Sequence, residues 1–259
     1  ANDMEKKTLR FSFPVSVALC LFSLWTVAQG ETEGQPPVAV EAGADGMVSV
    51  PGGEFSMGCN EAVDSECEDD EKPQRKVDVP GFRIDRTEVT VEAYRQCVDA
   101  KRCTPPDTGE ERICNWVPAG REQHPINCID WNQAEAFCAW AGKRLLTEVE
   151  WEKAARGTDG RVYPWGNTWD LPKGNVYESY DGHKETAPVG SFPDGASPYG
   201  VLDMAGNVWE WTADWLRNGE IRLIRGGSWV DLQRRARTSR RLGTVPVSRN
   251  GDIGVRCVQ

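Results

Sequence analysis

Apolar residues first appear as a block. The basic start Met4-Glu5-Lys6-Lys7-Thr8-Leu9-Arg10 runs into a mostly apolar stretch, Phe11 to Ala28, which ends in the small residues of Ala28-Gln29-Gly30. This order reads as a secretory signal peptide over residues 1–30, processed near Gly30, with residues 1–3 upstream of the apparent start at Met4. The stretch is barely long enough for a membrane anchor, because about 20 apolar residues are needed to span a bilayer. A lipid-modified Cys20 is disfavoured by the bulky Leu19 before it and the apolar run that continues past it. From residue 31 to 46, Gly, Glu, Ala and Pro dominate without a period, which predicts a flexible leader. The folded domain is expected over residues 47–259.

Within the domain the pattern turns periodic. Met47 to Gly58 predicts two short strands around Pro51-Gly52-Gly53, and Phe82 to Asp85 is strand-like. Three helices follow. Thr90 to Ala100 carries Val91, Tyr94 and Val98 on one side. Asp130 to Ala141 has Asp130 as N-cap with Gln133 three residues on, and an apolar stripe of Ala134, Phe137, Cys138 and Ala141. Thr147-Glu148-Val149-Glu150 is a capping box that opens a helix to about Ala155 and turns Trp151 inward. Beyond Gly157, Gly, Pro, Asn and Asp recur so often that turns are expected in place of long regular elements.

Composition changes this picture in three ways. With 259 residues, 39% of them hydrophobic, the chain has enough apolar material for one sizeable core, so a single domain is expected. Forty acidic residues against thirty basic ones give a net charge of -10, which opposes attraction to phosphate backbones and excludes nucleic acid as the natural partner. After signal cleavage no membrane association is expected either. Of the nine cysteines, eight lie beyond the signal segment, and an even number in an exported chain favours disulfides. Proximity pairs Cys59 with Cys67, Cys97 with Cys103, and Cys114 with Cys128. Zinc would require close C-x-x-C pairs or added histidines, whereas His124 and His183 stand alone.

Two further features are ambiguous by themselves. The acidic run from Glu61 to Glu71 offers carboxylates to a cation, but like-charged runs are more often solvated loops. Among the tryptophans, Trp131, Trp140, Trp151, Trp165, Trp209, Trp211, Trp215 and Trp229 suit a core whose ring N–H groups satisfy loop carbonyls, with a sugar-binding platform as the sharper alternative.

Ordered blocks then allow a resemblance to be stated. They are His124-Pro125-Ile126-Asn127-Cys128-Ile129-Asp130-Trp131, Ala139 to Glu152, Tyr163-Pro164-Trp165-Gly166-Asn167, Gly206-Asn207-Val208-Trp209-Glu210-Trp211, Arg225-Gly226-Gly227-Ser228-Trp229 and Gly254-Val255-Arg256-Cys257. In this order they resemble the sulfatase-modifying factor family, whose founding activity is the formylglycine-generating enzyme. The resemblance implies an α+β, irregular, loop-rich single domain of the formylglycine-generating-enzyme type, related to the C-type lectin fold. It also implies a disulfide between Cys138 and Cys257, which would close nearly the whole domain and contribute about 5 kcal/mol as an upper figure in the chain-entropy model.

The same resemblance implies calcium. One site would use Asn175, the carbonyl of Val176, Asp181 and the carbonyl of His183. A second would use Asp203, where the family typically has Asn, the carbonyls of Gly206 and Val208, and Glu210. Calcium takes six to eight oxygens of these types.

The founding enzyme oxidises a cysteine of an unfolded sulfatase segment with two cysteines that bind copper(I) and molecular oxygen. The positions that match them here are Asp231 and Ala236, while the neighbouring pocket positions Trp209 and Ser228 are retained. A hard carboxylate and a methyl group do not replace thiolates, so copper is not expected. A branch that uses three-histidine iron is not matched by two histidines in unrelated contexts. Nor does either histidine stand beside a nucleophile motif of the hydrolase kind. Arg234, Arg235, Arg237, Arg240 and Arg241 follow the active-site segment and suggest either an acidic partner or internal ion pairs, with Arg237 and Arg241 expected in the latter. The expected function is therefore an exported, noncatalytic module, secreted or periplasmic, that binds a peptide, protein or glycan. A protein-modifying oxidase with relocated chemistry is the alternative.

Overall fold

The computed structural model describes residues 45–109, 113–117, 119–179, 181–217 and 219–259. The signal peptide and nearly all of the leader expected from the sequence lie outside the described residues. Strands β1 (Met47–Val50) and β2 (Gly53–Met57) form where the alternating apolar residues place them, but they join different sheets. β1 pairs antiparallel with β4 (Phe82–Asp85), and β2 with β3 (Arg75–Val79). The chain changes sheet at Pro51-Gly52, where a Cβ on Gly52 would lie 2.9 Å from the Gly81 nitrogen, so only glycine permits the close backbone approach.

All three helices form, the second and third on their expected caps and the first on one not read from the sequence. Thr90 accepts from the Ala93 N–H at the start of α1 (Val91–Asp99). Asp130 and Gln133 form a reciprocal capping box on α2 (Trp131–Trp140), and Thr147 and Glu150 do so on α3 (Glu148–Arg156). Between α2 and α3 runs β5 (Arg144–Leu145). The C-terminal strand β10 (Cys257–Val258) inserts between β4 and β5, giving the order β1-β4-β10-β5.

The expectation of turns beyond Gly157 fails in one place. β6 (Trp209–Arg217) is nine residues long and pairs with β7 (Ile221–Arg225), which pairs with β8 (Leu242–Thr244), while β9 (Ile253–Gly254) runs parallel to β6. β6 is obscured in the sequence by the Gly, Pro, Asn and Asp around it, although Trp209, Trp211, Ala213 and Trp215 alternate with Glu210, Thr212 and Asp214 as in a strand. Glu210 and Thr212 are as buried as Trp209 and Trp211, so both faces of the strand lie inside the fold there.

The core has two lobes. Tyr94, Ile126, Phe137, Trp209 and Trp211 fill the space between α1, α2 and the β6 sheet. Phe55, Ile84, Trp151 and Met204 fill the space between α3 and the two N-terminal sheets. The interior indoles find acceptors, as a loop-rich core requires: Trp131 donates to the Thr212 carbonyl at 2.8 Å and Trp211 to the Ile129 carbonyl at 3.1 Å. Trp140 and Trp215 are exposed and stand outside that core.

Disulfides join Cys59 to Cys67, Cys97 to Cys103, Cys114 to Cys128, and Cys138 to Cys257, matching every expected pair. Four such bonds mark the domain for an oxidising, extracytoplasmic compartment. No helix among the described residues is long and apolar enough to cross a membrane.

Most of the acidic run is the solvated loop expected of it, with Glu61, Glu66, Glu68, Asp69 and Asp70 exposed, but two of its carboxylates turn inward. Asp64 and Glu71 are buried, and both receive Arg237. Its guanidinium donates to Asp64 Oδ2 at 2.8 Å and, through both Nη atoms, to the two Glu71 oxygens at 2.7 Å. Arg240 pairs with Glu68, and Arg241 Nε donates to Glu148 Oε1 at 2.6 Å. With Arg235, which pairs with Asp231, four members of the basic stretch thus serve internal ion pairs.

Candidate functional site

The turn after β7 builds the centre of the site. Gly227 has φ +75°, and a Cβ there would lie 2.9 Å from the Arg235 carbonyl oxygen, so the turn packs directly on the segment that leads to Ala236. This folding brings Trp209, Ser228 and Asp231 together. Trp209 Nε1 and Ser228 Oγ each donate to Asp231 Oδ2 at 2.7 Å. Asp231 Oδ1 lies 3.4 Å from Arg235, while burial raises the nearby Asp252 carboxyl above its ordinary range. Ala236 is not part of this polar set. It is fully buried with Val176 and Ala205.

Beside this centre opens a pocket of about 430 Å³. Trp229, residues 176–179 and residues 182–184 form its walls, and the Tyr177 N–H donates to the Asp231 carbonyl at 2.8 Å. The exposed Tyr177 ring and the half-buried Trp229 give the pocket an aromatic lip, with Glu178, His183 and Lys184 supplying polar groups.

The loops expected to hold calcium pack against each other. The Asn207 N–H donates to the Asn175 carbonyl at 2.7 Å, and a Cβ on Gly206 would lie 2.1 Å from that same oxygen. In the first loop, Asp181 accepts from the His183 N–H at 2.8 Å and from Ser179 Oγ at 2.5 Å. The Val176 carbonyl accepts from the Ser179 N–H at 3.1 Å. Asn175 donates its amide to the Glu185 carbonyl at 2.8 Å, which leaves its side-chain oxygen as the ligand-type atom. A carboxylate has about four lone-pair sites, so the two bonds to Asp181 leave room for a hard cation.

The second loop is more heavily committed. Asp203 Oδ2 accepts from the Gly190 N–H at 2.6 Å. Glu210 accepts from Trp151 Nε1 at 2.8 Å and from the Arg256 guanidinium at 2.8 to 3.1 Å. The carbonyls of Gly206 and Val208 belong to the turn that enters β6. Sequence reasoning missed Glu88, which lies between β4 and α1. Asn207 Nδ2 donates to its Oε1 at 3.0 Å, and its Oε2 is buried without a partner. Burial, then the Asp203 charge, pushes the Glu88 carboxyl well above its ordinary range, and burial raises Asp203 as well. An orphaned carboxylate oxygen beside a second carboxylate fits a calcium ion, whose oxygen ligands would relieve both. No local signal in the sequence marks Glu88, since its partner Asn207 stands 119 residues away.

Of the two histidines, His183 is exposed and lines the pocket. His124 is buried, with Nδ1 2.9 Å from Thr186 Oγ1, and burial followed by the Arg121 charge depresses it to about 4.

The family model of the sulfatase-modifying factor enzyme 1-like domain matches residues 33–259. An inactive C-alpha-formylglycine-generating enzyme 2 from Bos taurus is 34% identical, over 82% of this chain and 87% of that protein. A formylglycine-generating enzyme from Streptomyces coelicolor is 33% identical, over 85% of this chain and 91% of its own. The solved structure of PvdO from Pseudomonas aeruginosa superposes with a TM-score of 0.72 at 30% identity, covering 82% of this chain and 93% of that one. The α+β, loop-rich fold of the formylglycine-generating type is therefore common ground. Identity does not separate the active relative from the inactive one, so the site's chemistry must.

Proposed function

Because the chain belongs to the sulfatase-modifying factor family, its activity turns on which groups stand at the reactive positions, and we propose that it is an exported, noncatalytic member. On this reading the disulfide-bonded fold, held also by calcium, binds a peptide, protein or glycan in the pocket beside Trp229. The observation that carries the reading is the absence of a thiol where copper(I) would need two. Asp231 offers a hard carboxylate already engaged by Trp209 and Ser228, Ala236 offers a buried methyl group, and every cysteine among the described residues is in a disulfide. These residues do not fit copper.

Calcium suits the pocket's own architecture. Val176 and His183, whose carbonyls are two of the expected ligands, line the pocket, and Asn175 and Asp181 adjoin those lining residues in the chain. Bound there, the ion would supply charge neutralisation and loop rigidity, and the residues of the chain would make the contacts to the ligand. The exposed Tyr177 ring and Trp229 favour a ligand with a flat apolar face, with hydrogen-bonding groups directed at Glu178, His183 and Lys184.

The retained Trp209 and Ser228 favour one second reading, a protein-modifying oxidase of the formylglycine-generating type with relocated chemistry. Mass spectrometry separates the two. Purified protein incubated with copper(I), oxygen and a sulfatase-motif peptide should return the peptide cysteine unchanged. Conversion of that cysteine to an aldehyde would end the noncatalytic reading.

A further inference from the structure

Of the four disulfides, Cys59–Cys67 is the most accessible. Cys67 is half-buried, whereas Cys59 and the cysteines of the other three bonds are buried. The bond closes the loop between β2 and β3, and its two sulfurs have different surroundings. On the inner side, Arg237 Nη1 lies 3.8 Å from Cys59 Sγ, and Asp64 Oδ2 lies 3.2 Å from the same sulfur. On the outer side, Cys67 stands between exposed Glu66 and Glu68, with Glu61, Asp69 and Asp70 also exposed in the run. Lys72 bridges Glu61 and Asp69, and Arg240 pairs with Glu68, so carboxylates outnumber cations around Cys67.

The loop does not rely on this bond alone for its shape. The Val63 and Asp64 N–H groups both donate to the Asn60 carbonyl at 2.9 Å, the Cys59 N–H donates to the Glu71 carbonyl at 2.8 Å, and Arg237 holds Asp64. Opening the bond therefore leaves the two sulfurs near each other, and the domain keeps its other three disulfides. These features suit thiol–disulfide exchange, whose rate rises with access to the attacked sulfur and with the stability of the thiolate that leaves. An incoming thiolate meets Cys67 first. As its sulfur bonds to Cys67 Sγ, the Cys59–Cys67 bond breaks and its electron pair leaves on Cys59 Sγ as a thiolate, beside the Arg237 guanidinium. When that thiolate takes a proton from water, Asp64 accepts the hydrogen bond of the new S–H group. One disulfide becomes one mixed disulfide and one free thiol, and no external oxidant is needed.

We propose that Cys59–Cys67 is an exchange site at which Cys67 captures a peptide or protein thiol set among basic residues, with Cys59 as the leaving thiol. The acidic run selects the partner, because a field of one sign speeds the approach of the opposite charge. A thiol among acidic residues has the same sulfur chemistry open to it and is repelled before it arrives. Reduction returns the captured cysteine intact, which separates this exchange from conversion to an aldehyde.

Two peptides blocked at both ends, Lys-Cys-Lys and Glu-Cys-Glu, test this at equal thiolate concentration on the intact, oxidised protein. Acid quenching, alkylation and peptide mass spectrometry should find the adduct on Cys67, an alkylated Cys59, and the other three disulfides intact. The basic peptide should react at least about tenfold faster than the acidic one at low salt, and the ratio should narrow as salt rises. Glu66→Gln combined with Glu68→Gln should narrow it too. Circular dichroism should show the native fold in that variant and in the adduct. An adduct on Cys59, earlier reaction at another disulfide, or no adduct on the folded chain would overturn the exchange site. Equal rates for the two peptides at low salt would overturn the selection by charge that the proposal requires.

Discussion

Two buried groups of carboxylates meet arginine in this fold, and they end differently. In the first, Asp64 and Glu71 from the N-terminal acidic run close on Arg237, with Ser239 Oγ adding a bond to Glu71 at 2.9 Å. Every oxygen of Glu71 has a donor. In the second, Glu88, Asp203 and Glu210 share Arg256, which spends its side-chain donors on Glu210 and on the carbonyls of Asp85 and Leu202. Glu88 Oε2 is left with nothing. The first cluster is complete with protein groups and behaves as a clasp. The second needs a proton or a cation, and two of its members, Asp203 and Glu210, are among the proposed calcium ligands. Buried charge by itself therefore says little about function, and the unspent valence is what distinguishes a site from a strut.

The strongest way to break this contrast is to remove Arg237. Arg237→Leu leaves Glu71 buried without its partner and should cost about 3–5 kcal/mol in urea unfolding. Restoring balance with Glu71→Met in the same chain should recover much of that loss, since an apolar pair of similar volume avoids the desolvation cost. A loss below about 1 kcal/mol for Arg237→Leu alone would mean that the clasp is open to water in solution.

Next in size is the response to calcium. At an ion concentration one hundred times its Kd, a single site should add about 2.7 kcal/mol, read as a rise in Tm that a chelator reverses. Asp181→Ala should remove that increment at the first loop and Asp203→Ala at the second, while folded Arg237→Leu should keep both. Equal melting with calcium and with chelator would show that the second cluster is completed by a proton alone.

The Cys59–Cys67 disulfide belongs to the clasp, for it closes the acidic run over a separation of 8 residues. Replacing both cysteines by serine should cost about 2.5 kcal/mol in the chain-entropy model. The loss should be insensitive to calcium. A variant whose calcium response fell along with its stability would show that the two clusters are coupled.

What could be read from the sequence, and what could not, divides along the same line. Asp130 and Thr147 mark their helices because a cap and the backbone N–H that donates to it lie within one turn. Three disulfides were legible because their cysteines are neighbours. The fourth needed the family resemblance, its partners being 119 residues apart. Trp209, Ser228 and Asp231 were marked by their motif, and the structure joins them by hydrogen bonds. Within the run from Glu61 to Glu71, which is mostly solvated, the burial of Glu71 was not legible because its counter-charge, on Arg237, stands 166 residues away. Glu88 was invisible for the same reason, whereas the alternation of β6 was on the page and was obscured by the turn-forming residues around it. Local chemistry writes itself into adjacent residues; a buried charge is defined by whatever the fold brings to it.

The smallest effect comes from His124. Its ring is held by Thr186, the residue after Glu185, whose carbonyl receives the Asn175 amide, so it anchors one end of the loop proposed for calcium. Burial first and the Arg121 guanidinium second hold the imidazole near 4, against about 6.5 when unfolded. Between these values the unfolded chain binds the extra proton, so stability is full above pH 6.5 and falls as the pH drops towards 4. With solvent screening allowed for, the loss should be about 1 kcal/mol. His124→Asn carries no such proton, so the difference in unfolding free energy between the native chain and this variant should change by that amount between pH 7 and pH 4. A difference that stays flat across that range would mean that the imidazole titrates alike folded and unfolded, and that Thr186 holds the loop without it.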